Sequence, residues 1–133
     1  MAKKERSGIL VETTILVDFL RGTSAAAEYL DEVRSSGALI CSAVTAAELT
    51  VGARDRAEIR QIRQVLAPFE IEPITAEDSK RALRWLDCLY HSHGVGFHDC
   101  LIAAAAVRLR VQIATLNQKH FRSIRSVKVL RPY

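Results

Sequence analysis

The sequence predicts an α/β fold in which helices cover both faces of a mainly parallel, roughly five-stranded central sheet. Short apolar runs alternate along the chain with longer segments whose apolar residues recur at the helical period. Strands separated by helices are joined by right-handed crossovers, which makes the strands parallel and places helices on both faces. The 133 residues suffice for one hydrophobic core. A single domain spanning 1–133 is therefore predicted, with 1–7 as a disordered N-terminal tail.

Two strands and three helices are predicted in the first half of the chain. The runs ILVE and ALICS are short and largely apolar, as in strands that are buried on both faces. Threonine and serine residues that can cap a helix follow the first run and the RGTS turn. The predicted elements are a strand at 9–12, a helix from Thr13 or Thr14, a helix from Thr23 or Ser24 to 35–37, a strand at 38–42 and a helix at 42–53.

The second half continues the alternation with three helices and three strands. A helix that stops before Pro68 is followed by FEIEPI, whose alternating pattern predicts an edge strand. Thr75 and Asp78 have the spacing of a capping box and open the next helix. The predicted elements are a helix at about 56–67, a strand at 69–74, helices at 75–93 and 98–110, and strands at 111–115 and near 127–130.

Composition limits the class of protein. Nineteen lysines and arginines against fifteen acidic residues give a net charge of +4, which favours polyanionic partners. Cys41, Cys88 and Cys100 form no CxxC pair and lie among apolar neighbours, which predicts buried thiols in a reducing cytoplasm. Glu12 and Asp18 interrupt the first apolar stretch and argue against a signal peptide. The longest uncharged apolar run elsewhere, LIAAAAV, is far shorter than the roughly 20 residues of a membrane span, so no membrane partner is expected.

Four polar residues are predicted to lie at one edge of the sheet. Glu12 ends the first strand and Glu48 lies on the helix after the second strand. Asp99 begins the helix before the fourth strand, and Asn117 follows that strand. Because ligands of open parallel sheets bind outside the carboxyl ends of the strands, these residues are the candidates for a functional site.

Each candidate also has a structural explanation. Asp99 can cap a helix N-terminus and interact favourably with the helix dipole. Glu48 shares an apolar helical stripe with Val51, and a buried salt bridge, for example with Arg84, would balance its charge. Asn117 can be an ordinary turn residue, since asparagine tolerates left-handed backbone.

Two further polar residues are explained by local structure. Asp18 can pair with Arg21 at i, i+3 or face Thr14 at i, i+4 on the surface of the first helix. His120 is a single histidine, which is more typical of a surface or packing residue than of a metal ligand. Neither residue is therefore placed in the candidate site.

The candidate site offers oxygen donors without a cluster of histidines or cysteines. Carboxylates that face one another repel and take up protons unless a cation neutralises them. Oxygen ligands select hard ions such as Mg²⁺ or Mn²⁺. The segment from Arg108 to Arg131 contains seven basic residues and no acidic residue. A metal pocket in a basic protein predicts chemistry on a phosphate backbone, with lysines and arginines holding the flanking strand.

Four blocks occur in order over almost the whole chain: ILVETTILVDFLRG, SAVTAAEL, FHDCLIAAAA and IATLNQKHF. Together they resemble the PIN-domain ribonucleases of the VapC toxin type. In that family an apolar strand leads to Asp-Thr-Ser/Asn, later blocks carry a Glu and an Asp, and Asp or Asn follows a Thr by two residues. Each block alone is a weak signal, but their order and spacing make the combination specific.

The resemblance implies a PIN-like α/β/α sandwich, cleavage of RNA that depends on Mg²⁺ or Mn²⁺, and a homodimer. It also implies neutralisation by a small VapB-type antitoxin and a higher assembly with it. Attack by water would leave a 5′-phosphate and a 3′-hydroxyl. Carried over by position, the resemblance gives Glu12, Glu48 and Asp99 as metal-binding catalytic residues, Asn117 as the fourth catalytic residue, and Thr14 and Thr115 as supporting hydroxyls.

One position departs from the family pattern, because Glu12 stands where the family has Asp. The extra methylene moves the carboxylate by about 1.5 Å, one C–C bond. A displacement of about 1 Å at a reacting centre can cost roughly 10²-fold in rate. The activity is therefore expected to be attenuated. The alternative is a catalytically impaired PIN domain that only binds RNA or the antitoxin.

Two other expectations follow from the pattern. A receiver- or phosphatase-like protein would need an Asp pair at the first strand and a lysine after a later one, and VETT supplies neither. Apolar helical surface near 24–33 and 59–66 exceeds what one small sheet can cover, which predicts a homodimer.

Overall fold

The computed structural model describes residues 7–133. Residues 1–6 of the predicted tail lie outside this range, and the Ser7 carbonyl accepts a hydrogen bond from the Ala38 N–H at 3.2 Å. The elements are β1 (Gly8–Val11), α1 (Thr13–Leu20), α2 (Ser24–Ser36), β2 (Ala38–Ser42), α3 (Ala43–Val51), α4 (Arg56–Leu66), β3 (Glu70–Glu72), α5 (Ala76–His93), α6 (Phe97–Leu109), β4 (Gln112–Ala114), a 3₁₀ helix (Gln118–His120) and β5 (Val129–Leu130).

The five strands form one parallel sheet in the order β3-β2-β1-β4-β5. β1 is central, and Leu10 lies between Ile40 of β2 and Ile113 of β4. The edge strands β3 and β5 contain only three and two residues, so little unpaired backbone is left at the sheet edges. The predicted parallel sheet and the predicted edge position of the third strand are both confirmed.

The two faces of the sheet carry separate hydrophobic cores. Successive strand residues point to opposite faces. Leu10 and Ile40 therefore pack toward α5 and α6, whereas Val11 and Cys41 pack toward α1, α2 and α4. Complete burial of such a side chain contributes about 1.5–3 kcal/mol. Helices on both faces make the α/β/α sandwich that the sequence predicts. No helix within residues 7–133 is both long and apolar enough to cross a membrane.

Two expectations about burial are wrong. Val51 is the last residue of α3 and is 85% exposed, so it does not share a buried stripe with Glu48. Cys88 is exposed on α5, whereas Cys41 and Cys100 are buried as predicted. Val51 lies at the end of α3, whereas Cys88 lies on the outer side of α5, whose Trp85, Leu86 and Leu89 pack against the core.

Several of the apolar residues predicted to form a homodimer surface are part of the core. Within 24–33 and 59–66, Leu30, Val33 and Ile62 are buried beneath α2 and α4, which cover the second face of the sheet. These three side chains cannot form the predicted surface, whereas Tyr29, Ile59, Val65 and Leu66 are partly exposed. The large apolar side chains that are exposed lie elsewhere, at Val51, Ile71, Ile74, Leu83, Tyr90 and Phe97.

Arg108 belongs to the fold and not to an RNA-binding rim. Its guanidinium donates two hydrogen bonds to Asp78, both at 2.9 Å, and one to Glu72 at 2.6 Å. Asp78 is buried and also closes the predicted capping box with Thr75. Burial opposes ionisation of Asp78, but the bonds from Arg108 and Thr75 hold its pKa below the usual value. This cluster fastens the start of α5 to α6 and β3.

Candidate functional site

The candidate residues surround the carboxyl ends of the central strands. Glu12 directly follows β1 and is the N-cap of α1, and its N–H donates to the Ala114 carbonyl of β4 at 3.0 Å. Glu48 lies on α3, which follows β2 without a loop, and Asp99 lies in the first turn of α6. The alternating fold thus brings distant parts of the chain to the edge at which the sequence places the site.

Glu12 is buried and held by two threonine hydroxyls. Glu12 is only 6% exposed. Its Oε1 accepts hydrogen bonds from Thr14 Oγ1 at 2.7 Å and from Thr115 Oγ1 at 2.5 Å. The N–H groups of Leu116 and Asn117 donate to those two hydroxyl oxygens at 3.0 and 2.9 Å. Each hydroxyl therefore directs its single proton to Glu12, which offsets the cost of burying the carboxylate.

Glu48 is connected to α1 through Thr13. The Thr13 hydroxyl lies 3.0 Å from Glu48 Oε1 and 3.1 Å from Thr45 Oγ1. Arg84, the partner proposed for a buried salt bridge, is exposed on α5. The salt-bridge explanation for Glu48 is therefore wrong, and a hydroxyl holds this half-buried carboxylate.

Asp99 is paired with His120, which also contacts Asn117. Asp99 Oδ2 lies 3.0 Å from His120 Nδ1, and His120 Nε2 lies 3.3 Å from Asn117 Nδ2. If Nδ1 donates to the carboxylate, the neutral Nε2 accepts from the amide, so one tautomer satisfies both contacts. Gly96, not Asp99, is the N-cap of α6. Capping is thus excluded for Asp99, although the helix dipole still favours its charge in the first turn.

The three carboxylates are close enough to repel one another. Burial raises the pKa of Asp99, the contact with His120 opposes this, and the charges of Glu12 and Glu48 raise it again. The net shift is upward. A cation among these groups would remove the repulsion that disfavours ionisation of Asp99.

The donors suit a hard divalent cation, although they do not converge as a formed metal site. Carboxylate and hydroxyl oxygens are the ligands that Mg²⁺ and Mn²⁺ prefer. Within residues 7–133, no group of three His, Cys, Asp or Glu side chains is placed to hold an ion. Glu12 and Glu48 are instead turned to hydroxyls and Asp99 to an imidazole. Ion binding would exchange these protein partners for the metal.

Two residues of the site have roles that the sequence does not predict. His120 is expected at the surface or in packing, yet it connects Asp99 to Asn117. Its position three residues after Asn117 could have indicated this contact, because residues at that spacing lie close together on a short turn. Thr13 is expected only as a possible helix cap, yet it holds Glu48. Asn117 reaches the site through His120 and not by direct contact with a glutamate.

Two grooves flank α1 beside the carboxylates. The larger, of about 520 Å³, lies between α1, α3 and α4 and includes Glu48. The smaller, of about 330 Å³, lies between α1 and the segment after β4 and includes Asn117. Thr13, Val17 and Arg21 line both grooves, so one face of α1 borders the two.

Known proteins are similar to this chain in both sequence and fold. The PIN domain family model matches residues 9–126. Ribonuclease VapC10 of Mycobacterium tuberculosis is 39% identical over 121 residues, which are 90% of this chain and 90% of that protein. A toxin-antitoxin complex from Klebsiella pneumoniae contains a chain with a TM-score of 0.76 and 27% identity, covering 95% of this chain and 98% of its own. VapBC2 from Rickettsia felis, bound to a DNA fragment from its promoter, has the same fold with a TM-score of 0.78 and 20% identity, covering 92% and 96%. The chain therefore belongs to the PIN-domain family, within its VapC ribonuclease group.

Proposed function

We propose that this PIN domain is the toxin of a toxin-antitoxin pair and cleaves RNA phosphodiesters with Mg²⁺ or Mn²⁺ bound at Glu12, Glu48 and Asp99. The observation that supports the proposal most directly is that Glu12, Glu48 and Asp99 lie together at the carboxyl ends of the central strands. Burial and the charges of the two glutamates raise the pKa of Asp99 there. Three carboxylates at the carboxyl edge of a parallel sheet are stable together when a cation joins them. We propose that residues 1–133 form one domain.

A bound metal ion would stabilise the charge that develops on the phosphate and lower the pKa of an attacking water. Glu48 and Asp99 would hold the ion, and Glu12 would do so directly or through water. Thr14 and Thr115 fix the Glu12 carboxylate, and Asn117 orients His120 against Asp99. Attack by water would leave a 5′-phosphate and a 3′-hydroxyl.

The basic residues near the site are proposed to hold the RNA backbone. Arg108 is excluded because Asp78 and Glu72 bind it. The acidic pocket faces only the phosphate, so sequence or shape preference must come from the rim and from the bases of the RNA. Exposed cations of the same segment supply this rim: Lys119, Arg122, Arg125 and Arg131.

Cleavage by the purified protein tests the proposed activity. With Mn²⁺ or Mg²⁺ we expect single-stranded RNA to be cut to products with 5′-phosphates, and we expect excess EDTA to stop the reaction. End-group analysis of the products checks the chemistry. RNA binding without cleavage in either metal would support the alternative, in which the domain is catalytically impaired and only binds RNA or antitoxin.

A VapB-type antitoxin is the proposed protein partner. The chain from Klebsiella pneumoniae was solved in a toxin-antitoxin complex, and VapBC2 from Rickettsia felis is such a pair. The larger groove offers an apolar floor that includes Leu20, Leu49 and Ile62 and ends at Glu48. An amphipathic antitoxin segment that folds on binding would fit this groove. A guanidinium at its end would pair with the carboxylates better than a lysine would.

Competition with the metal tests this arrangement. If an antitoxin arginine occupies the metal position at Glu48 and Asp99, excess Mg²⁺ should weaken antitoxin binding, and Asp99→Asn should weaken it without Mg²⁺. Isothermal titration with the wild-type protein and this variant, each with and without Mg²⁺, measures both effects. Antitoxin affinity that is unchanged in all four titrations would mean that the antitoxin docks elsewhere.

Assembly and location complete the proposal. We infer a homodimer whose surface includes the exposed apolar side chains of Val51, Ile74 and Phe97, which surround a depression of about 550 Å³. Light scattering at micromolar concentration should give twice the mass of the chain, and the mass of one chain would contradict this.

A reducing cytoplasm is the proposed location, and the free thiols of Cys41, Cys88 and Cys100 agree with it.

A further inference from the structure

Arg21 borders both grooves beside α1. It is the C-cap residue of α1, it is exposed, and it lines both the groove that contains Glu48 and the groove that contains Asn117. Arg21 follows Thr13 by eight residues, about 12 Å along the helix axis. A strand that runs along α1 from the carboxylates would therefore reach this guanidinium.

The carboxylate nearest in sequence to Arg21 has another partner. Asp18, three residues earlier, accepts a hydrogen bond from the Tyr133 hydroxyl at 3.0 Å. The expected pairing of Asp18 with Arg21 or Thr14 is therefore wrong. Burial and the bond to Asp18 together raise the pKa of Tyr133 to about 12, so the hydroxyl remains a donor at neutral pH. Among residues 7–133, no carboxylate forms a salt bridge with Arg21.

An RNA strand needs a cation at this position. Glu48 lines one groove and Asp18 the other, and these carboxylates repel the phosphates on either side of the one that is cleaved. Neutralisation of those flanking phosphates is the main source of affinity for a nucleic-acid backbone. A guanidinium can bind a phosphate through two parallel N–H donors.

We propose that Arg21 is a positioning residue that binds a phosphate next to the cleaved one, and that the Tyr133–Asp18 hydrogen bond keeps Arg21 available for it. This inference rests on the proposed RNA cleavage, but it concerns substrate binding and can be measured separately. Arg21 is outside the proposed metal site, so it should affect KM and RNA affinity more than kcat.

The first experiment compares Arg21→Ala and Arg21→Lys with Arg34→Ala as a control. Arg34 is an exposed arginine in the last turn of α2. This turn leads into the start of β2, so Arg34 lies near the amino ends of the strands, away from the carboxyl ends that carry the site. Arg21→Ala should raise KM about tenfold, the size of one lost charged hydrogen bond, and reduce the salt slope of RNA binding by about 1. Arg21→Lys should keep the salt slope but recover only part of the affinity, and Arg34→Ala should change neither quantity.

The second experiment uses the Tyr133–Asp18 bond. In Tyr133→Phe, Asp18 loses its donor and should turn to Arg21, so RNA affinity should fall toward that of Arg21→Ala. Adding Asp18→Asn to Tyr133→Phe removes the competing charge and should restore the affinity. Failure of Asp18→Asn to restore it would show that Tyr133 acts on the fold and would overturn this part of the inference.

RNA binding by the Asp99→Asn protein without metal separates this inference from the proposed activity. In that background, Arg21→Ala should still weaken binding and lower the salt slope, even if wild-type protein cleaves no RNA under any condition. If wild-type protein cleaves RNA and Arg21→Ala leaves KM and the salt slope unchanged, the inference is wrong and the proposed activity stands. An Arg21→Ala effect on antitoxin affinity alone, with RNA binding unchanged, would also overturn it.

Discussion

Asp99→Asn is expected to lower the rate of RNA cleavage at least about 100-fold and to leave the fold intact. Groups that only orient a metal ligand are worth about 10- to 100-fold, so the loss of a direct ligand should cost more. Single-turnover cleavage in Mn²⁺ measures the loss. Glu48→Gln should have a similar effect, because the amide still accepts the Thr13 hydrogen bond but carries no charge for the metal.

Thermal unfolding distinguishes a lost metal ligand from a damaged fold. The pKa of Asp99 is raised in the folded protein, so the native state binds more protons and stability falls as pH rises through this shift. Asparagine removes that penalty, and at neutral pH the Tm of Asp99→Asn should equal or exceed that of the wild type. Mg²⁺ should raise the Tm of the wild type but not of Asp99→Asn, because only a bound ion stabilises the native state.

An exposed aspartate supplies the control for this series. Asp87 lies on the exposed side of α5, and Asp87→Asn should preserve both cleavage and the Mg²⁺-dependent rise in Tm. Full activity in Asp99→Asn would remove this residue from the catalytic set. A collapsed Tm in Glu48→Gln would mean that the charged carboxylate of Glu48, held by Thr13, stabilises the fold.

The fold could be predicted because each strand and its crossover helix leave local signals. The run around Leu10 is apolar on both faces, and the Thr75–Asp78 capping box marks a helix start within one turn of sequence. Burial at helix ends could not be predicted in the same way. Val51 continues an apolar pattern at the end of α3, but only the tertiary packing decides that no core residue covers it.

Topology predicts which carboxylates meet but not how their side chains are held. The convergence of Glu12 and Asp99 follows from parallel strands that end at one edge. The pairing of Asp99 with His120 depends on a short 3₁₀ helix after β4, which no periodic pattern predicts. The Tyr133–Asp18 bond joins residues 115 positions apart and displaces a local pairing that sequence spacing favoured.

Glu12→Asp is expected to raise the rate of RNA cleavage by about 10- to 100-fold. The wild-type carboxylate is one methylene farther from the backbone than the aspartate of the family pattern, about 1.5 Å, and a misplacement of about 1 Å can cost roughly 10²-fold. In the structure the longer side chain of Glu12 places Oε1 in hydrogen-bond contact with the hydroxyls of Thr14 and Thr115. Backbone N–H groups in turn donate to both hydroxyl oxygens and fix their positions. The threonines therefore determine where the Glu12 carboxylate lies, and a metal ion would have to bind at that position.

Glu12→Gln is the matched control, because it keeps the length of the side chain and removes the charge. Rates in Mn²⁺ should therefore rank Glu12→Asp above the wild type and the wild type above Glu12→Gln. The Mn²⁺ concentration for half-maximal rate should fall in Glu12→Asp, since a better-placed carboxylate binds the ion more tightly. If Glu12→Asp is slower than the wild type, the two threonines have positioned a glutamate as the working ligand of this chain. In that case its site is adapted to the longer side chain and is not attenuated by it.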